Sequence, residues 1–111
     1  MTDPNDLVAQ VADSLLRIEM ELRQLGLWQA DRPDPEAFQS TQPFCIDTLE
    51  FHQWLQFVFV ERMIVIIEQG QPLPEVSGIA PMAEEHFRVR PESGENLIQE
   101  LEEIDRLLSG K

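Results

Sequence analysis

Trp54, Leu55, Phe57, Val58, Met63, Ile64, Ile66 and Ile67 fall on more than one face of any helix drawn through them, so their segment has to be packed on several sides at once. A chain of 111 residues can meet that demand only by wrapping its other elements around this one. Gln56, Glu61 and Arg62 interrupt the run, which falls short of the ~20 apolar residues that span a bilayer, and a core rod is expected rather than a membrane helix. The β-branched stretch Ile64-Val65-Ile66-Ile67 also suits a strand, but the pattern around it continues for over twenty residues between helix signals. Asp47 with Glu50 three residues later has the form of a capping box. Gly70 followed by Pro72 and Pro74 closes the pattern, which places the helix at about 48–69.

Two amphipathic segments supply the surfaces such a rod needs. Leu7, Val11, Leu15, Ile18, Leu22 and Leu25 recur every three or four residues behind Asp3, a predicted N-cap, and Pro4, which suits the first helical position. Gly26 is the expected stop, with Leu27 and Trp28 folding back on the last turn. Toward the other end, Leu97, Leu101, Ile104 and Leu108 form a stripe on a helix at about 92–108, with Glu100, Glu102, Glu103 and Asp105 mostly on its wet side. A shorter helix is expected to start at Pro81 and to carry Ala83, Glu85 and Phe87. Residues 31–48 contain Pro33, Pro35 and Pro43 and show no sustained period. They read as a long ordered connection with one helical turn starting at Asp34-Pro35-Glu36, pinned by Trp28, Phe38, Phe44 and Ile46. The expected fold is all-α: a compact four-helix-type bundle with three long helices, one or two short helices and a long ordered loop, a single domain over 1–111.

Charge narrows the function classes. The chain carries 21 Asp plus Glu against 8 Lys plus Arg, a formal net charge of −13, and its basic residues are scattered singly apart from Arg88 and Arg90. Nucleic-acid binding draws most of its affinity from basic side chains neutralising phosphates, so direct contact with DNA, RNA or an anionic membrane is disfavoured. The same field attracts a basic protein partner. Cys45 is the only cysteine, which excludes an intrachain disulfide, and residues 1–6 are acidic and polar where a signal peptide is basic and then apolar. A cytoplasmic location is the expectation.

One set of short motifs carries a resemblance. Ser40-Thr41-Gln42-Pro43-Phe44, Asp47-Thr48, Trp54-Leu55-Gln56, Arg62-Met63, Pro72-Leu73-Pro74 and Ile79-Ala80-Pro81 resemble the YqcC family of small bacterial proteins, over residues 28–85 or so. The resemblance implies a four-helix bundle and a family of uncharacterised role, whose members are often encoded beside a C-type tRNA pseudouridine synthase. The family commonly has proline just before the Arg-Met pair, where this chain has Glu61, which puts a kink there in question.

Two readings of the polar residues stand side by side. Ser40, Thr41 and Gln42 are suited to satisfying backbone groups in a proline-bounded loop, and Arg62, set in an apolar helix, would need a partner such as Asp47 or a loop carbonyl. Alternatively Ser40, Thr41, Gln42, Pro43, Phe44, Asp47, Gln56 and Arg62 form a binding patch, although Gln56 and Arg62, six apart, cannot both face the loop fully on a straight helix. No catalytic set is visible. His52 and His86 lack metal-ligand spacing, Ser40 with His52 and Asp47 lacks a nucleophile elbow, and Gly70, Gly78 and Gly94 form no phosphate loop. No metal and no cofactor are expected. The preferred expectation is a non-catalytic accessory or protein-interaction domain, a monomer or weak homodimer, associated with tRNA modification through a protein partner of basic character. The alternative is a small-molecule binding module or unrecognised enzyme with a polar pocket under the 40–47 loop.

Overall fold

The first apolar stripe forms helix α1 (Pro4–Gln24), on which Val11, Leu15, Ile18 and Leu22 are buried and Leu7 and Leu25 pack partly buried beside them. The computed structural model describes residues 4–45, 47–75, 78–88 and 94–109; the expected cap Asp3, the expected pin Ile46, Arg90 and the expected helix start near Glu92 lie outside them. Gly26 ends α1 as expected, at φ 75°, where a side chain would be strained. The Leu27 N–H donates to Leu22 O at 2.9 Å and the Gly26 N–H to Arg23 O at 3.1 Å, the paired bonds of a Schellman motif. That reversal drives Leu27 into the core and lays Trp28 against it.

A 3₁₀ turn, Pro35–Gln39, and a tight turn at Pro43–Cys45, closed by the Cys45 N–H donating to Gln42 O at 3.0 Å, punctuate the connection that follows. The central rod starts later than the capping-box reading places it. Its first element is α2 (Phe51–Trp54), with Glu50 as N-cap and the Gln53 side-chain oxygen accepting the Glu50 N–H at 2.9 Å. Asp47 is not the cap, for a local reason. The chain turns sharply through Phe44 and Cys45, both at positive φ, and the Thr48 and Leu49 amides are both spent on Cys45 O, at 3.0 and 2.8 Å.

From α2 the rod runs without a break through a π-helix (Leu55–Val60) into α3 (Glu61–Glu68), the junction residues Leu55, Val60 and Glu61 all keeping right-handed helical dihedrals. The position just before the Arg62-Met63 pair, where the resemblance left a kink in question, therefore holds none. Gly70 closes the rod at φ 67° with the same motif as α1: Gly70 N–H to Ile67 O at 3.1 Å and Gln71 N–H to Ile66 O at 3.0 Å. Burial on all sides applies only to the first two thirds. Phe51, Leu55, Phe57, Phe59, Val60 and Met63 are buried, whereas Ile64 and Val65 are exposed, because α3 meets α1 along only a thin seam.

Helix α4 (Ile79–Arg88) begins two residues before Pro81, and α5 (Glu95–Leu108) begins after Gly94. The early start of α4 has a partner invisible to periodicity: the Asp105 carboxylate accepts the Ile79 and Ala80 N–H groups at 3.1 and 2.9 Å, satisfying two first-turn donors. Leu97, Leu101, Ile104 and Leu108 are all buried. α5 packs against both α1 and α4, and α2 leans on α4, so one continuous core includes Ile18, Leu22, Leu55, Met63, Ile79 and Leu101. The fold is all-α with four helical rods and no strand among the described residues. Its radius of gyration, 13.9 Å, is close to the ~13 Å of a folded chain of this length.

Candidate functional site

The 40–47 loop is held by its own polar groups. Ser40 Oγ donates to the Asp47 carboxylate and accepts the Gln42 N–H at 3.0 Å, while Thr48 Oγ1 donates to Ala37 O at 2.6 Å. Phe44 sits edge-on against Trp54, ring centroids 4.6 Å apart, which ties the loop to the rod. Pro43 opens the tight turn, and Thr41 and Gln42 face solvent. Ser40, Asp47 and the loop backbone thus come together, with the polar atoms turned on one another.

Gln56 does not join them. It is buried and grips the backbone of Gln29: the Gln29 N–H donates to Gln56 Oε1 at 2.9 Å, and Gln56 Nε2 donates to Gln29 O at 2.8 Å. Gln53 Nε2 reaches the Gln29 side-chain oxygen at 3.3 Å. Gln29, absent from the sequence-based candidates, is therefore the residue Gln56 serves, and no local pattern announces a pair 27 residues apart. Arg62 departs from expectation as well. It is exposed on α3, forms no ion pair with a described residue, and needs no buried partner because neighbouring Met63 takes the core-facing position.

Arg62 lines an open depression of about 470 Å³ together with Arg32, Phe38, Cys45, Phe57 and Glu61. Arg32 is already committed there. Its Nη1 lies 2.7 and 2.6 Å from the two Glu61 oxygens, and its guanidinium sits 5.0 Å from the Phe38 ring centre and 5.5 Å from that of Phe57. Glu61 thus anchors Arg32 and through it Phe38. The depression keeps one uncommitted cation, Arg62, and the half-buried thiol of Cys45. That set can attract an anion.

His52 and His86, distant in sequence, meet with ring centroids 5.5 Å apart, and His52 Nδ1 lies 3.5 Å from Glu50 Oε2. Among the described residues no group of three or more His, Cys, Asp and Glu side chains is placed to hold a metal ion. No helix among them is long and apolar enough to cross a membrane. Two surface ion pairs shift the groups they join: the Arg106 hydrogen bond holds the Glu103 carboxyl below its usual range, and the Glu100 hydrogen bond raises Arg17.

A second open feature runs between α1 and α3, where the seam is thin. Ala12, Leu15 and Leu16 on one side and Val60, Ile64 and Ile67 on the other line a groove of about 270 Å³, with Glu19 and Glu68 also in its wall. At Ile67 it meets a further hollow lined by Leu7, Val8 and Leu73. Leu16, Met20, Ile64 and Val65 are 63, 58, 41 and 47% exposed, large apolar side chains that the core leaves outside among the described residues. Sequence reasoning missed this groove because Ile64 reads as core and Leu16 and Met20 lie off the α1 stripe.

Known proteins resemble this one over most of its length. A family profile described as DUF446: tRNA pseudouridine synthase C matches residues 10–107. The Escherichia coli protein YqcC, uncharacterised, is 37% identical over 95 residues, covering 86% of this chain and 87% of its own. An uncharacterised protein of Haemophilus influenzae is 40% identical over 79 residues, 71% of this chain and 74% of that one. A Pectobacterium carotovorum protein named tRNA pseudouridine synthase C is 45% identical over 65 residues, 59% of this chain but only 17% of its own length. The solution NMR structure of Escherichia coli YqcC superposes with a TM-score of 0.79 at 35% identity, covering 94% of this chain and 89% of that one. The bundle, the loop tied to its rod and these likenesses agree, and the chain belongs to the YqcC family, DUF446.

Proposed function

We propose that this chain is a non-catalytic interaction domain that acts with a tRNA pseudouridine synthase as its protein partner. The observation that carries the reading is the relative named tRNA pseudouridine synthase C, in which the matched segment makes up 17% of the protein and leaves ample chain for a separate enzyme unit. An association made within one chain in one organism can be made between two chains in another. The polar groups of the 40–47 loop favour the same reading, since Ser40 and Asp47 satisfy each other. A net charge of −13 suits a partner that already carries basic surface for tRNA, and it keeps the domain itself off the nucleic acid.

The test is calorimetry between the purified chain and the C-type synthase of the same cell, at roughly 50 and 300 mM salt. Binding that weakens as salt rises is the expected result; no heat at either salt concentration removes the reading. A second reading, a small-molecule site, is favoured by the uncommitted Arg62 in its open depression beside Cys45. A true ligand raises the melting temperature by mass action, so a thermal-shift screen with phosphate and carboxylate compounds decides it. Under the preferred reading every such compound leaves the melt unchanged.

A further inference from the structure

We infer that the groove between α1 and α3 accepts an amphipathic helix of the protein partner, one with apolar residues along one face and Lys or Arg at its edges. The inference rests on the reading of the chain as an interaction domain and names the surface and the kind of segment. Most of its lining is apolar, formed by Leu15, Leu16, Val60, Ile64 and Ile67. Leu16 and Ile64 in its wall stay more than two fifths exposed although each would gain by burial. Two helices flanking a trough present ridges and grooves that a third helix fills, and apolar anchors at positions i, i+3 or i+4, and i+7 match such a trough.

Charge selects among occupants. Glu19 and Glu68 stand in the groove wall; Glu19 shares its carboxylate with Arg23 at 2.9 Å, and Glu68 forms no ion pair with a described residue. A basic edge on the incoming helix would complete Glu68. A second copy of this chain would instead bring another net charge of −13 to the same wall, and like charges oppose that contact.

The experiment titrates the full ¹⁵N-labelled chain with a synthetic leucine–lysine peptide, leucines on one helical face and lysines on the other, against a peptide of equal composition with its leucines dispersed. Shift changes concentrated at Ala12, Leu16, Glu19, Ile64 and Glu68 are expected, for the amphipathic peptide only. Leu16→Glu with Ile64→Glu should weaken binding about tenfold or more, as anchors at an interface centre do. Glu68→Lys, at an exposed position that leaves the fold alone, should weaken it too. Shifts spread over the acidic surface, or equal binding by the variants, overturn the inference, and so do shifts of the groove residues that grow with protein concentration alone. Titration of the synthase separates the two proposals. If wild type and groove variants bind it equally, the groove falls and the functional reading stands. If neither binds while the peptide still seats in the groove, the functional reading falls and the groove stands.

Discussion

At Gly94 a methyl group would sit 2.3 Å from Cδ2 of Phe87, well inside any tolerable contact, while the backbone φ of −96° suits any residue. Space, not dihedral freedom, is therefore what excludes a side chain. Gly94→Ala is expected to cost about 1–3 kcal/mol, the usual cost of overpacking, read as a lower urea midpoint with an unchanged slope. In sequence Gly94 is an isolated glycine, and the ring that claims its Cβ position belongs to another helix seven residues earlier. The same holds for Asp105, which looks like one more wet acidic residue of α5 until the α4 amides are placed against it. Single residues whose role is a meeting between elements leave no local trace.

Elements fare better. The stripes of α1 and α5 were legible because period and burial coincide: Val11, Leu15, Ile18 and Leu22, then Leu97, Leu101, Ile104 and Leu108, are all buried. Both glycine stops held for the same reason, each closing its helix by a local motif. The start of the rod did not, since Asp47 and Glu50 have the right types and spacing but Thr48 and Leu49 had already given their amides to a turn. Of the candidate site, Ser40 accepting the Gln42 amide follows from a short polar side chain in a proline-bounded loop; its pairing with Asp47, expected as a helix cap or a partner of Arg62, and the withdrawal of Gln56 to Gln29 do not. That grip joins the strap after α1 to the π-helix by two hydrogen bonds. Gln56→Ala should destabilise the fold by about 1–3 kcal/mol, as loss of a buried polar partner does, and should speed hydrogen exchange at the Gln29 amide.

For the whole molecule, the net charge of −13 acts against compactness through self-repulsion, and the few ion pairs, such as Arg17 with Glu100, relieve little of it. Salt should therefore stabilise the isolated chain. Raising sodium chloride from about 20 to 300 mM is expected to lift the melting temperature by roughly a few degrees through screening; a falling midpoint would mean that the ion pairs outweigh the repulsion. A different property follows from the Leu55–Val60 stretch, whose π-helical turn takes up one residue more than an α-helical turn. Deleting Val58 lets that stretch relax to ordinary pitch and leaves Phe51 and Met63 pointing as before. Deleting exposed Arg62 offers no such slack and swings Met63 and all that follows by about 100°. The first variant should still melt cooperatively and the second should not, so the rod has a single expansion joint, one window in which its length can change by a residue without turning its far end away from the core.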